Sequence, residues 1–198
     1  MQRHDAVDER LRAGGAAGDV DIDGDDLIDA LVVKIINENL PGLVEEARDF
    51  RGERTIIVPK ARLKDVGRLL RDDPALRYDF LSDVVADDYL PDYPRFAVSY
   101  HLLSMPNKHR LRVRVWVEDP DDGPETLAEL WPIATWLEME VYDLMGVRFA
   151  GNGSLRRLFL PEDWQGHPLR KDYPLGYEEV QFSFNWQEID AKKPYAKE

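Results

Sequence analysis

Three carboxylates and one imidazole are the side chains of this sequence whose types could support acid–base chemistry. Glu138, Glu140 and Asp143 lie close together in one predicted helix, and His167 follows in an irregular loop. Carboxylates act as general acid and general base only where both reach the same substrate. At about 100° per residue, Glu138 and Glu140 point roughly 160° apart around a helix. A stand-alone carboxylate-based hydrolase is therefore the weaker alternative.

Residues 151–156 (GNGSLR) begin like the glycine-rich turn that binds the phosphates of a dinucleotide. Arg156 stands where the third glycine of that pattern lets a helix approach a strand. No buried parallel strand is predicted before the segment, so we interpret it as a glycine turn.

The sequence contains no cysteine, which excludes disulfides, thiolate zinc sites and cysteine-ligated iron–sulfur clusters. Its four histidines lack the spacing of a metal-binding helix: His4, His101, His109 and His167. We therefore expect no catalytic residue, no cofactor and no metal ion on this chain.

A predicted helix over residues 127–145 positions the three carboxylates. Thr126 and Glu129 have the spacing of a capping box, Gly146 is a typical C-terminal stop, and Pro132 allows a break. One broad apolar stripe is predicted on this helix: Ile133, Trp136, Leu137, Val141, Leu144 and Met145. Glu140 falls within that stripe.

A carboxylate buried without a partner at Glu140 would cost several kcal/mol. The sequence therefore predicts a buried ion pair between Glu140 and a cation of the downstream loop, and Glu140→Gln should damage folding more than Glu138→Gln. The candidate cations are Arg148, Arg156, Arg157, Arg170 and Lys171. In the alternative interpretation, Glu140 lies at the edge of the stripe and meets water.

Apolar periodicity predicts the remaining elements. Two helices are expected over residues 26–48, divided at Pro41-Gly42, followed by a strand at 54–58, a helix at 61–71 and a strand at 78–86. Alternating apolar residues predict two further strands joined by a turn at 105–108: Phe96, Val98, Tyr100 and Leu102 in the first, and Leu111, Val113, Val115 and Val117 in the second. The fold class is α+β, a single domain with a mostly antiparallel sheet flanked by helices.

The opposite face of the last strand carries Arg110, Arg112 and Arg114. Such a basic face could bind an acidic partner, yet a solvated sheet face would have the same pattern. Both interpretations stay open.

The chain ends in a long irregular C-terminal extension. Phe182, Phe184 and Trp186 alternate in a segment that is otherwise polar and need a surface to cover them, either on the parent domain or on an adjacent subunit. We expect three parts: a mobile acidic arm at 1–24, the α+β domain at 25–165, and a docking segment and tail at 166–198.

The formal net charge of −13 over 198 residues argues against nucleic acid or anionic lipid as a direct partner. No uninterrupted apolar stretch is long enough to span a membrane, and the N-terminal residues resemble neither a secretory signal nor an organelle transit peptide. A cytoplasmic protein is the expectation.

Three motifs of the sequence together resemble a known family. These are residues 138–147 with Phe149, the run Arg156-Arg157-Leu158-Phe159-Leu160, and the run Gly166-His167-Pro168-Leu169-Arg170-Lys171-Asp172-Tyr173-Pro174. They are similar to the 30 kDa subunit of respiratory complex I, which is also called the C subunit, over roughly residues 50–175. Met139 departs from the arginine that the family usually carries between the two glutamates.

The resemblance implies a non-catalytic structural subunit in the peripheral arm of a proton-translocating NADH:quinone oxidoreductase. Such a subunit packs against the D subunit of complex I, which forms the quinone pocket with the B subunit, while other subunits carry FMN and iron–sulfur clusters. It is peripheral, on the cytoplasmic side of a bacterial cell membrane, and meets the membrane only through the complex. The equivalent subunit of a ferredoxin-dependent photosynthetic-type complex or of a membrane-bound hydrogenase is the alternative. The expected partner-binding residues are those from Gly166 to Pro174, together with Phe182, Phe184 and Trp186.

Overall fold

The computed structural model of the chain describes residues 24–174 and residue 191. The described part contains three α-helices and five β-strands, in the order α1 (Gly24–Asn39), β1 (Glu46–Phe50), β2 (Glu53–Ile57), α2 (Leu63–Asp72), β3 (Phe80–Asp88), β4 (Phe96–Ser104), β5 (His109–Val117) and α3 (Ala134–Met145). The predicted N-terminal arm up to residue 23, and the tail residues Phe182, Phe184 and Trp186, lie outside the described residues.

The five strands form one sheet in the order β1-β2-β5-β4-β3. Neighbouring strands are antiparallel except β2 and β5, which are parallel. The predicted hairpin is confirmed, since β4 pairs with β5 from Phe96↔Val117 to Ser104↔His109 across the turn at 105–108. The prediction of an α+β domain with a mostly antiparallel sheet flanked by helices is also confirmed.

The core lies between one face of this sheet and the helices. Alternate residues of β4 and β5 are buried as the sequence predicted, and they join apolar residues of all three helices in one cluster. The helical members of the cluster include Leu31 and Ile35 of α1, Val66 and Leu70 of α2, and Val141 and Met145 of α3. The helices therefore cover this face of the sheet.

The second helix predicted after Pro41-Gly42 is wrong, because this segment forms strand β1. Phe50 pairs with Glu53, which leaves Arg51 and Gly52 as the hairpin loop. Both loop residues have positive φ, 54° and 76°, as a two-residue type I′ turn requires. All five residues of β1 are exposed, so no apolar alternation marks the strand and its pairing with β2 defines it.

Helix α3 is shorter than predicted. Residues 127–131 form a separate turn, closed by a 2.9 Å hydrogen bond from the N–H of Trp131 to the carbonyl of Leu127, and the helix begins at Ala134. Pro132 has no N–H with which to continue that turn. The predicted C-terminal stop is confirmed at Gly146, which has φ 74°. None of the helices within residues 24–174 has the length and apolarity needed to cross a bilayer.

The capping box predicted for Thr126 and Glu129 does not form. The Glu129 carboxylate instead lies 3.1 Å from Lys64 Nζ. Thr126 Oγ1 accepts the N–H of Ala128 at 3.1 Å and donates to Glu138 in the next helical segment, so its hydroxyl caps the turn 127–131 and also links it to α3.

Candidate interaction site

Glu138 is the carboxylate of α3 that faces the interior, with no exposed surface. Thr126 Oγ1 and Asn152 Nδ2 donate to its Oε2 at 2.6 and 2.9 Å, and the N–H of Leu127 donates to its Oε1 at 2.9 Å. Burial raises the pKa of Glu138, and the three hydrogen bonds partly offset this effect. Glu138 thus joins the segments before and after α3 to the helix.

Asp143 forms a second buried carboxylate site one turn further along α3. Its Oδ2 accepts the three consecutive N–H groups of Leu158, Phe159 and Leu160 at 3.0, 2.7 and 3.0 Å, and Arg157 Nη1 donates to Oδ1 at 3.0 Å. Burial opposes ionisation, yet these donors together hold the pKa of Asp143 below its ordinary value. The irregular loop is therefore anchored to the helix by one ionised side chain.

The predicted ion pair of Glu140 is wrong. Glu140 is half-buried and forms no ion pair within residues 24–174, whereas the buried pair joins Asp143 to Arg157. Arg157, one of the predicted candidates, is thus the paired arginine. The face of α3 that packs on the sheet is centred near Glu138 and Val141, about 130° from Glu140, and the loop arginine pairs with Asp143 instead.

The remaining candidate cations have other roles. Arg148 lies 2.9 Å from the Asp121 carboxylate, and Arg170 Nε donates to the carbonyl of Met145 at 2.7 Å. Arg156 is exposed and forms no ion pair with any residue of the described range.

The segment predicted for docking, residues 166–174, lies against the C-terminal end of α3. His167 Nδ1 donates to the carbonyl of Asp143 at 2.9 Å, and the N–H of Leu169 bonds the carbonyl of Leu144 at 3.1 Å. Burial lowers the pKa of His167, the hydrogen bond to the Asp143 carbonyl partly offsets this effect, and the nearby Arg170 and Arg157 add to the lowering. The hydrogen bonds from His167 and Leu169 satisfy carbonyl groups at the C-terminal end of α3, which have no partner within the helix.

Gly146 makes this close packing feasible. A Cβ atom at this position would lie 2.2 Å from Arg170 Nη2 and 2.5 Å from His167 Cδ2. Its positive φ also requires a residue that tolerates the left-handed region. Glycine at this position therefore ends the helix and also lets residues 167–170 of the loop pack against the helix end.

Charged groups attach the end of the same segment to the edge of the sheet. The N–H of Lys171 donates to Asp88 at 2.9 Å, and Arg95 Nη2 lies 2.8 Å from the carboxylates of both Asp88 and Asp172. The side chain of Asp88 is only 2% exposed, yet Arg95 and two backbone N–H groups hold its pKa well below the usual range. The polar groups of the docking segment are thus largely used within the chain.

The apolar side chains of this region have a different environment. Phe159 is 63% exposed and Leu169 is 60% exposed, although the backbone of each is hydrogen-bonded to α3. Ile133, which directly precedes α3, is 47% exposed, and Trp136 in its first turn is 53% exposed. Large apolar side chains held outward on an ordered backbone are typical of interaction surfaces.

The arginine row of β5 is mostly neutralised within the sheet. Arg112 Nη2 donates to Glu53 at 3.0 Å, and Arg114 Nη2 donates to Asp87 at 3.1 Å. Arg110 is exposed and has no ion pair among residues 24–174. Two of the three arginines are therefore compensated, so the charge expected for binding an acidic partner is much reduced.

No group of three or more acidic or histidine side chains among the described residues is placed to hold a metal ion. The glycine-rich segment 151–156 is a turn, in which Asn152 supports Glu138. The N–H of Ser154 bonds the Asn152 side chain at 3.0 Å. These contacts give the segment a structural role, which sequence reasoning missed because Asn152 and Glu138 are far apart in the chain.

Comparison with known proteins places this site in context. The sequence matches the family described as respiratory-chain NADH dehydrogenase, 30 Kd subunit, over residues 56–179. The C subunit of the NADH-quinone oxidoreductase of Roseiflexus castenholzii is 49% identical over 159 residues, with 80% of this chain and 91% of the relative covered. That of Geobacter sulfurreducens is 46% identical over 145 residues, with 73% and 88% covered.

Two solved structures are similar to this fold. The trypsin-resistant fragment (1-134) of Nqo5 matches with a TM-score of 0.51 and 32% identity, over 63% of this chain and 96% of the fragment. A chain of an archaeal membrane-bound sulfane sulfur reductase matches with a TM-score of 0.61 and 24% identity, over 74% and 85%, and at that identity only the fold is shared. The family match spans more than half of the sequence, and the chain belongs to the 30 kDa subunit family of the respiratory-chain NADH dehydrogenase.

Proposed function

We propose that this chain is a non-catalytic structural subunit in the peripheral arm of a proton-translocating NADH:quinone oxidoreductase. The observation that carries the proposal is the family match over residues 56–179, together with relatives named as the C subunit that align over most of their length. The names of these relatives favour NADH over ferredoxin as the electron donor of the complex.

The geometry of the carboxylates supports a structural role. Glu138 and Asp143 are both buried, and their oxygens accept hydrogen bonds from the chain itself. A general acid or base has to reach a proton of a substrate. The charged groups of this region instead hold the loop 156–174 on α3, which argues against the hydrolase alternative.

The docking segment and the tail are proposed to bind the D subunit within the quinone module, which the D and B subunits form together. The segment 166–174 leaves Leu169 outward, and the sequence continues with Phe182, Phe184 and Trp186. A solved fragment of the relative Nqo5 is called trypsin-resistant, as expected where a compact domain is followed by a segment that protease removes.

The cofactors of the complex, FMN and iron–sulfur clusters, are proposed to lie on other subunits. This chain contains no cysteine to ligate a cluster. Its place is the cytoplasmic side of the bacterial cell membrane, which it meets only through the complex.

A truncation after Leu175 tests this proposal. The domain should stay folded, because the contacts of residues 166–174 with α3 and β3 remain, whereas association with the D subunit should weaken at least about tenfold. Thermal unfolding of the purified variant and its binding to the purified D subunit measure the two effects. Loss of binding with unchanged unfolding is expected, and unchanged binding would show that the partner surface lies elsewhere.

The full-length chain carrying an affinity tag provides the control. It should purify with NADH-oxidising subunits and with quinone reductase activity from membranes of the source organism. Recovery without any such subunit would contradict the assignment to the peripheral arm.

A further inference from the structure

Helix α3 is apolar on two sides, and the described part of its own chain covers one of them fully and the other only in part. The side facing the sheet carries Ala134, Val141 and Met145, all buried. About 100° away lies a second row, at the i, i+3, i+4, i+7 and i+11 spacing of a helix seam: Ile133, Trp136, Leu137, Glu140 and Leu144. We call this second row the outward seam.

The outward seam spans three helical turns and ends beside another exposed residue. Ile133 and Trp136 are about half exposed, while Leu137, Glu140 and Leu144 are half-buried, with Leu137 packed against the core of its own chain. The backbone N–H of Leu169 bonds the carbonyl of Leu144, which places a further exposed apolar residue at the end of the row. A helix that is apolar on both sides is typically covered on both.

A groove borders the seam on the side of Trp136. It has a volume of about 360 Å³ and is lined mainly by Trp136 and Met139 of α3 and by Leu155 and Arg156 of the following loop. Trp136, Met139 and Leu155 form an apolar part of this groove beside the polar Thr135 and Ser154. That part suits one apolar side chain of a partner, in the manner of an interface anchor. Arg156, exposed at this groove, is available to a carboxylate beside that anchor.

Glu140 indicates the charge of the partner. It lies within the seam without an ion pair in residues 24–174, and burying it under another protein without a cation would cost several kcal/mol. The surface that covers the seam must therefore present an arginine or lysine to Glu140.

The need for a cation at Glu140 argues against two other occupants, the tail of the chain itself and a second copy of the chain. The tail carries only acidic charges from residue 177 to residue 190, and its lysines, Lys192, Lys193 and Lys197, come after this stretch. The part of the tail that holds Phe182 and Trp186 would therefore repel Glu140. A second copy packed through the same seam in a two-fold arrangement would bring its own Glu140 to the same contact.

We infer that the outward seam of α3 and its groove bind an α-helix of a neighbouring subunit, which presents a cation to Glu140 and an apolar anchor beside Trp136. A helix fits because its ridges interdigitate with the i, i+3 and i+4 rows of the seam. The inference rests on the proposed role as a complex subunit, but it concerns a surface separate from the tail.

Site-specific photocrosslinking in the assembled complex tests the occupant. A benzoylphenylalanine replaces Trp136 in the tagged full-length chain, and a second variant carries it at Met105, which is 61% exposed at the β4–β5 turn. Crosslinks from position 136 should map to a helix of another subunit with a lysine or arginine within one turn. Crosslinks only to residues 175–198, to a second copy or to lipid would overturn the inference.

Charge reversal tests the role of Glu140. Glu140→Lys should weaken incorporation into the complex at least about tenfold, whereas Glu45→Lys, at an exposed site between α1 and β1, should not. Thermal unfolding of the free chain should be the same for both variants, which separates a docking defect from misfolding. Reversing the crosslinked cation of the partner to glutamate should restore incorporation of Glu140→Lys.

Normal incorporation of Glu140→Lys would show that no cation meets Glu140 and would overturn the inference, even if the tail truncation weakens binding. Failure of the wild-type chain to enter any NADH-oxidising complex would instead contradict the proposed function. The two failures are thus distinguishable.

Discussion

Two sides of one helix show how differently a carboxylate can be used in this protein. Glu138, on the side that faces the sheet, and Asp143, which residues 157–160 of the loop cover, are both buried and bonded to six backbone or side-chain groups of other segments besides the Arg157 guanidinium. On the outer side, Glu140 is half-buried and has no ion pair within residues 24–174. The segment that covers each position, more than residue type, therefore decides whether a carboxylate stabilises the fold or stays available for a partner.

Substitution of Asp143 should produce the largest effect. Asp143→Asn removes the charge that Arg157 and three backbone N–H groups surround, and leaves the arginine partly buried without its carboxylate. We expect the free energy of unfolding to fall by about 3–5 kcal/mol. Denaturant titration of the free chain measures this loss. A loss below about 1 kcal/mol would contradict the view that Asp143 anchors the loop to α3.

The same variant should change the pH dependence of stability. Because the pKa of Asp143 is lower in the folded chain than in the unfolded one, its contribution is present above about pH 4 and is lost as the pH falls through the folded pKa. The wild type should therefore lose more stability between about pH 5 and about pH 3 than Asp143→Asn. Equal losses in denaturant titrations would show that Asp143 is not ionised preferentially in the fold.

Glycine at the helix end offers a smaller and more selective test. Gly146→Ala should destabilise by about 2–3 kcal/mol, since a positive φ costs roughly 1–2 kcal/mol and the added Cβ would displace His167 and Arg170. Gly42→Ala is the control, because Gly42 has the same φ of +74° but nothing within 4 Å of an added Cβ. The difference between their unfolding free energies isolates the contact with the docking segment, and equal values would mean that this segment does not rest on α3.

The two glutamates give the smallest expected effects and compare the two sides directly. Glu138→Gln places an amide NH₂ among three donors and should cost about 1–3 kcal/mol. Glu140→Gln should change stability by less than about 0.5 kcal/mol in the free chain. This order is the reverse of the one that the apolar pattern alone predicted. A greater loss of unfolding free energy for Glu140→Gln than for Glu138→Gln would support the ion pair predicted for Glu140.

Much of the sheet was predictable from local pattern. Alternation along β4 and β5 identified the residues that face the core, because the period of two in a strand directly links sequence to face. It did not identify Ala97 and Ser99 of β4, which are buried on the opposite face. Strand β1 was missed because it is exposed along its whole length. The Arg51-Gly52 turn was the signal that could have revealed it, since a glycine in a two-residue loop before the β-branched run of β2 is typical of a hairpin.

The sequence by itself determined the family, the absence of cysteine ligands, the amphipathic strands and the presence of a carboxylate–arginine pair near the end of α3. Only the tertiary structure decided which carboxylate takes part. A helical wheel locates residues around an axis, but it does not show that the sheet covers the side of Glu138 or that residues 157–160 of the loop cover Asp143. Contacts between residues far apart in the chain, such as Asn152 with Glu138 and Arg95 with Asp172, depend on the tertiary structure in the same way, because local spacing carries no information about which distant donor will meet a buried acceptor.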